Sequence, residues 1–273
     1  MKKLACFAFG LWFLGQTALF SVELPPWFGN VYEFSFFTKY TFSRFSKVES
    51  ASSPLNYKEN DHLAYLNLEF PFSPEVDLDL DLELMADRAH SFTFRSAALQ
   101  TRYSFLDDIV GDPLSLAVGI NFRGVSKSFT HDITTFYPGI ANFEGTLALG
   151  KEFSKDESWR FRLWGNGGFG IADKGSPWVR CKLAFEGNHE EAFRWAFFGE
   201  GYHSYGCHRH VNLSHFRGYG SIRAKAIDLG FKIGYRLAGA GVLAFEYKRR
   251  VFAKRAPESV NNYSGSYLVS FSF

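Results

Sequence analysis

The sequence predicts an all-β chain closed into an antiparallel transmembrane β-barrel of twelve strands, and three observations predict it. Aromatic residues make up 19% of the 273 residues, 32 of them Phe, while charged residues hold at 21%. That balance fits neither a disordered chain nor a bundle of membrane helices. A helical bundle needs several apolar runs of about 20 residues, and the only run of that kind stands at the very start. From residue 30 onward apolar and polar residues alternate, segment after segment, which is the period of a strand with two unlike faces. The formal charge of +2, from 30 basic and 28 acidic residues, supplies no field that would call for nucleic acid.

The chain opens with Met1-Lys2-Lys3, the apolar stretch Leu4 to Phe20 and the small residue Ser21. This is the layout of a secretory signal peptide over residues 1–21, leaving 22–273 as a single barrel domain. The alternative, a retained anchor helix, lacks a positively charged flank, since Glu23-Leu24-Pro25-Pro26 follows instead. Cys6 stands too close to Met1 for a lipid-modified cysteine, and the remaining two, Cys181 and Cys207, make no disulfide framework.

The first strand places Tyr32, Phe34, Phe36, Thr38, Tyr40 and Phe42 on one face, and the second Ala64, Leu66, Leu68, Phe70 and Phe72. The third is the clearest: Val76, Leu78, Leu80, Leu82 and Leu84 alternate with four carboxylates. In the fourth the apolar parity switches between Phe94 and Ala97, the mark of a bulge. The fifth carries Leu116, Val118, Ile120 and Phe122, the sixth Phe143, Leu147 and Leu149, the seventh Trp159, Phe161, Leu163 and Phe169. Val179, Cys181, Leu183 and Phe185 mark the eighth, and Phe193, Trp195 and Phe197 the ninth. Ile227 to Leu237, Leu243 to Val251 and Tyr263 to Phe273 complete the set. The stretch 204–223 contains a further weak alternation at Phe216, Gly218, Gly220 and Ile222, read as loop because a thirteenth strand would give an odd count. Segments of this length suit tilted membrane-spanning strands.

The connections sort into short turns after even strands and long loops after several odd ones, at 44–60, 126–138, 203–223 and 253–262. Short periplasmic turns with longer outer loops are the barrel pattern, and an even strand count puts both termini in the periplasm. Tyr32, Trp159, Trp178 and Tyr235 sit near strand ends, where interfacial girdles form. The chain closes Tyr267-Leu268-Val269-Ser270-Phe271-Ser272-Phe273. This ending, with Phe271 and Phe273, resembles the C-terminal sorting signal of integral outer-membrane β-barrel proteins of Gram-negative bacteria. The resemblance implies location in the cell outer membrane, contact with its lipids, and recognition by the barrel-assembly machinery during biogenesis. It extends to fold and place, not to a functional family.

With the apolar face toward lipid, the opposite parity lines the lumen. It carries Asp77, Asp79, Asp81 and Glu83, then Arg95, Arg102 and Arg123, then a basic tract of Arg160, Arg162, Arg180, Lys182 and Arg194, and finally Lys232 and Arg236. In a closed barrel the acidic and basic arcs face each other, so the expectation is a passive pore whose transverse field and basic wall favour small polar or anionic solutes. Two other readings stay open: charges that pair and fill a structural lumen, and a structural or adhesive barrel acting through its outer loops.

Chemistry is sparse. His203, Cys207, His208, His210 and His215 cluster on one loop as weak candidates for a metal, but there is no Cys-x-x-Cys pair, so no cofactor is expected. A lipid-active hydrolase would need a Ser–His pair; His203-Ser204 and Ser214-His215 are adjacent in sequence, which on a strand sends the two side chains to opposite faces. The run Gly165-Asn166-Gly167-Gly168-Phe169-Gly170 lacks the strand-to-helix setting of a phosphate loop and fits small residues easing strand curvature.

Overall fold

The computed structural model describes residues 24–272 apart from 52, 156–157, 214–215 and 239. The expected signal peptide 1–21 and Phe273 lie outside the described residues. Twelve long strands follow the expected order: β1 (Glu33–Val48), β2 (Leu55–Pro71), β3 (Val76–Ala86), β4 (Thr93–Leu106), β5 (Ser115–Val125), β6 (Ala141–Lys155), β7 (Ser158–Ala172), β8 (Trp178–His189), β9 (Phe193–Ser204), β10 (Lys225–Leu237), β11 (Gly241–Lys254) and β12 (Asn261–Ser272). Each pairs antiparallel with its sequence neighbours, and β1 closes the sheet on β12 from Glu33↔Ser272 to Arg44↔Asn261. The result is a closed antiparallel twelve-strand barrel with no long free edge, which removes the unpaired backbone groups that hydrocarbon cannot solvate.

Alternation does what the sequence promised. Leu80, Leu99, Ile120, Phe143, Leu163, Leu183, Phe197, Leu229 and Phe245 stand exposed on the outside, and Asp77, Asp79, Asp81, Glu83, Gln100 and Asn121 are buried inside. On the outer face Phe161, Phe185, Trp195 and Phe197 pack ring to ring, with centroids 5.3 to 6.3 Å apart. A soluble chain would bury such a cluster; here it forms part of an apolar belt. The bulge in β4 is present: Glu83 pairs with Ser96 and Leu84 with Phe94, so Arg95 is the extra residue.

Four details differ from the sequence reading. The expected loop 44–60 is mostly strand, because β1 and β2 run on as a long hairpin whose connection is only 49–54. Trp159 faces inward and Arg160 outward, since Ser154 pairs with Trp159 and Phe153 with Phe161, leaving Arg160 as a bulge residue. Trp178 is buried rather than interfacial. The described residues of loops 126–140, 205–213, 216–224 and 255–260 fold over the barrel mouth instead of standing in solvent, and Phe45, Ile133, Phe136, Trp178, Tyr202, Tyr219, Ile222 and Val260 form an apolar core there. Phe136 and Tyr219 stack at 4.3 Å, Tyr219 donates to the Ile133 carbonyl at 2.8 Å, and Tyr202 to that of Phe136 at 3.2 Å. We call this the cap; the opposite end carries Glu33, Ser272 and the short turns.

The glycine run in β7 serves a purpose that curvature alone does not cover. A Cβ at Gly168 would collide with the Glu144 carboxylate, and one at Gly170 with the Trp178 indole. These glycines leave lumenal space for large side chains from β6 and β8.

Candidate functional site

The candidate site is the lumen, and its charges are arranged by strand register before anything else. The four carboxylates of β3 are answered by arginines on the two following strands. Asp77 lies opposite Arg102 and is bonded to it. Asp79 is 3.3 Å from the Arg102 Nε, Asp81 is 2.7 Å from Arg123, and Glu83 lies between Arg123 at 3.4 Å and Arg95 at 3.7 Å. Tyr65 and Asn67 on β2 donate to Asp81 at 2.6 and 2.9 Å, Ser96 donates to Glu83, and Glu69 reaches Arg102 at 3.1 Å. From the cap, the Tyr137 hydroxyl donates to Glu83 at 3.3 Å, and its ring lies under Arg95 and Arg123 at 5.5 and 5.3 Å. This is a buried, hydrogen-bonded and charge-paired network, the condition under which buried charge is tolerated.

The expected basic tract is also compensated locally. Arg162 binds Glu152 at 2.6 Å, Arg180 binds Glu144 at 2.5 Å, and Lys182 and Lys248 share Glu200 at 3.3 and 2.7 Å. Arg250 binds Asp228 at 2.9 Å, and Lys39 binds Glu246 at 2.8 Å. Several of these partners sit directly across a ladder, as do Glu152↔Arg162, Lys182↔Glu200 and Asp228↔Arg250. Charges therefore neutralise each other along the wall, so the transverse field between an acidic and a basic arc is largely spent before it crosses the lumen. Arg236 sits at the rim, exposed, with Glu191 at 2.7 Å. Arg160, on its bulge, is exposed as well.

A cavity of about 390 Å³ remains, lined by residues from every strand but β6, with Asp79, Glu83, Arg95, Arg102 and Arg123 of the charged network on its wall. Its wall includes Lys39, Asp61, Tyr65, Asn67, Lys232, Glu246 and Ser264, with Arg162, Trp159 and Arg194 completing it toward the end with the short turns. Phe136, Tyr137 and Val260 roof it at the cap. Lys232 lies 5.8 Å from the Phe37 ring, and Arg194 lies 5.7 Å over Trp159 with its Nε buried and without a hydrogen-bond partner among the described residues. Arg180, Lys182, Asp77 and Asp81 belong to the wall's internal network and do not line this cavity.

Sequence reasoning missed one element of the lumen altogether. Residues Leu24–Phe28 lie inside the barrel, where Leu24 and Trp27 are buried. Trp27 packs with Trp164, Ala184 and Phe198. The available signal was Pro25-Pro26-Trp27-Phe28 itself, an apolar stretch ahead of the first strand with no assigned place.

The loop candidates for metal do not converge. Cys207, His208 and His210 are exposed, His203 packs on Tyr205 at 4.6 Å, and His215 lies outside the described residues. Ser204 donates to the Ile222 carbonyl at 2.7 Å and is turned away from His203; Ser214 lies outside the described residues, as does its neighbour. Among the described residues the one trio of close potential ligands is Glu69, Asp77 and Asp79, and the Arg102 guanidinium already occupies it. Phe271 is exposed on the outer face and stacks on Phe34 at 5.9 Å.

No protein-family model matches the sequence, and no curated protein is significantly similar to it. Solved structures do match in shape. An outer membrane channel from Pseudomonas putida F1 aligns over 93% of this chain and 100% of its own, with a TM-score of 0.63 at 10% identity. The NanC porin aligns over 87% and 100% (TM-score 0.56, 11% identity), and the KdgM porin over 86% and 99% (0.52, 9%). Twelve antiparallel strands closed on themselves, apolar outside and polar within, thus give this chain the fold of outer-membrane channel barrels.

Proposed function

We propose that the protein is exported under a signal at 1–21, sits in the outer membrane with both termini periplasmic, and acts as a passive pore for small polar or anionic solutes. The observation that carries this reading is the lumenal cavity. A barrel built only as a structural wall would be filled by side chains, whereas this one keeps about 390 Å³ of space lined by charged, polar and aromatic residues from all strands but β6. That volume lies at the low end of small-molecule sites, which fits solutes no larger than a monosaccharide. Arg194 and Lys232 on its wall are the cations to which we assign the anion preference; Arg102, Arg123, Arg162 and Arg180 each bind a nearby carboxylate. The channel and porins with the same fold support the reading by analogy.

The adhesive alternative is weakened by the cap, since loops 126–140 and 205–224 spend their apolar side chains on each other. The deciding experiment is conductance of purified, folded protein in a planar bilayer. Discrete steps in KCl are expected; folded protein that never conducts would end the pore reading.

A further inference from the structure

We infer that Leu24–Phe28 is a fixed constriction inside the lumen, anchored by Trp27, that limits the size of solute the barrel passes. This rests on the reading of the barrel as a pore. The segment precedes the first ladder pair at Glu33, so it is placed by side chains rather than by the sheet. Two consecutive prolines remove two backbone donors that would otherwise need partners in the lumen. The Leu24 carbonyl accepts from Asn166 Nδ2 at 3.4 Å, and the Pro25 carbonyl accepts from Arg102 at 2.9 Å. Arg102 also stands over the Phe28 ring at 4.7 Å. The segment therefore bridges from β4 to β7 across one side of the interior.

Trp27 is held from several directions. Its indole N–H donates to Asp108 Oδ1 at 2.7 Å, in the turn between β4 and β5. The Arg162 guanidinium lies between two indoles, 4.7 Å from Trp27 and 4.4 Å from Trp159, while Glu152 fixes it from the side. The wall is shaped to receive this segment: a Cβ at Gly150 would come within 2.7 Å of Pro26 Cγ and 2.8 Å of Trp27 Cη2. The segment borders the cavity through Pro25 and takes up part of the lumen beside it. The constriction is thus a built part of the lumen, and it narrows the space left for solute.

Two sets of variants test this in planar bilayers and in liposome swelling with a monosaccharide and a trisaccharide. The first replaces Pro25→Gly, Pro26→Gly, Trp27→Ala and Phe28→Ala together; conductance should rise several-fold and the trisaccharide should pass. The second locks the segment with Pro26→Cys and Gly150→Cys after Cys181→Ser and Cys207→Ser, since Pro26 Cβ is one bond from an atom near the Gly150 position and within disulfide reach. Locked and reduced forms should conduct alike. Equal conductance and size limit with and without the segment would overturn the constriction, and so would a fall in conductance on locking, which would show that solute passes only when the segment leaves. If the first variant does not fold, the locked pair and Trp27→Phe, which keeps the ring but loses the Asp108 bond and should raise conductance, decide the matter. Failure of the constriction leaves current in every folded variant; failure of the pore reading leaves it in none.

Discussion

Replacing Arg123 by Met removes a heavily engaged cation of the β3 network without changing much volume. Arg123 holds Asp81 at 2.7 Å and Glu83 at 3.4 Å, bonds Ser96 at 2.9 Å, and lies over Tyr137. At an effective dielectric of about 20, attraction is roughly 6 kcal/mol across the shorter distance and roughly 5 kcal/mol across the longer. The variant no longer carries the desolvation of the guanidinium, several kcal/mol in itself, so the net loss settles at about 3–5 kcal/mol. Asp81 keeps its bonds from Tyr65 and Asn67, which keeps the loss from growing larger. Urea unfolding in lipid vesicles, followed by tryptophan fluorescence and by the gel mobility of unheated samples, measures it. The double variant Arg123→Met with Asp81→Asn should recover part of the loss, because the buried charge left without its partner is gone. A loss under about 1 kcal/mol with no coupling, the signature of solvated exposed pairs, would refute the tightly coupled network and make these pairs fully water-exposed.

Three further outcomes follow from the same geometry. Arg194→Gln should shift the reversal potential in a KCl gradient toward cation selectivity, whereas Arg160→Glu, on the exposed bulge, should leave it in place. Gly170→Ala drives a methyl group into the Trp178 indole and should destabilise the cap by about 1–3 kcal/mol, the usual cost of overpacking, read as a lower urea midpoint. Burial alone would raise the Asp108 carboxyl, but hydrogen bonds from Ser115, Trp27 and the Glu152 N–H, with Lys151 beside it, outweigh burial and hold it below the ordinary carboxylate range. A depressed carboxylate stabilises docking above its unfolded value and loses that contribution as pH falls through the folded one. Conductance should therefore rise on acidification of the side bearing the short turns, with Asp108→Asn largely removing the pH dependence.

The strands were legible because lipid imposes period two on every one of them, and no soluble core is large enough to demand as much. The bulge at Arg95 announced itself by a parity switch in the sequence. The one at Arg160 did not, because Trp159-Arg160-Phe161-Arg162 looks alternating whether or not a residue is inserted. The cap escaped notice for a different reason. Its core is assembled from residues far apart in sequence, such as Phe45, Phe136, Trp178 and Tyr219, and no local period marks it. Only the aromatic content of 126–138, with Phe129, Phe136 and Tyr137, hinted that this loop had something to bury. Parity put Asp77 to Glu83, Arg102 and Arg123 on the inner face and misplaced Arg160, and parity says nothing of partners. Antiparallel register does, and it sets Asp77 against Arg102 and Glu152 against Arg162.

That distinction changes where selectivity has to reside. On β3 to β8, several lumenal charges are bonded to a neighbour on nearby strands, and the segment at Leu24–Phe28 covers part of that wall. Solute moving through the cavity meets Asp79, Glu83, Arg95, Arg102 and Arg123 on one side and Lys39, Lys232 and Glu246 on the other, with Arg194 projecting from β9. Lys232 and Glu246 are direct cross-strand partners in register, and Lys39 binds Glu246 at 2.8 Å. On the proposed pore reading, an anion preference then depends on these cations and their register with Glu246, not on the number of arginines in the barrel. Glu246→Gln should strengthen it and Lys39→Met should weaken it, opposite shifts in reversal potential that a field spread over the whole lumen would blur.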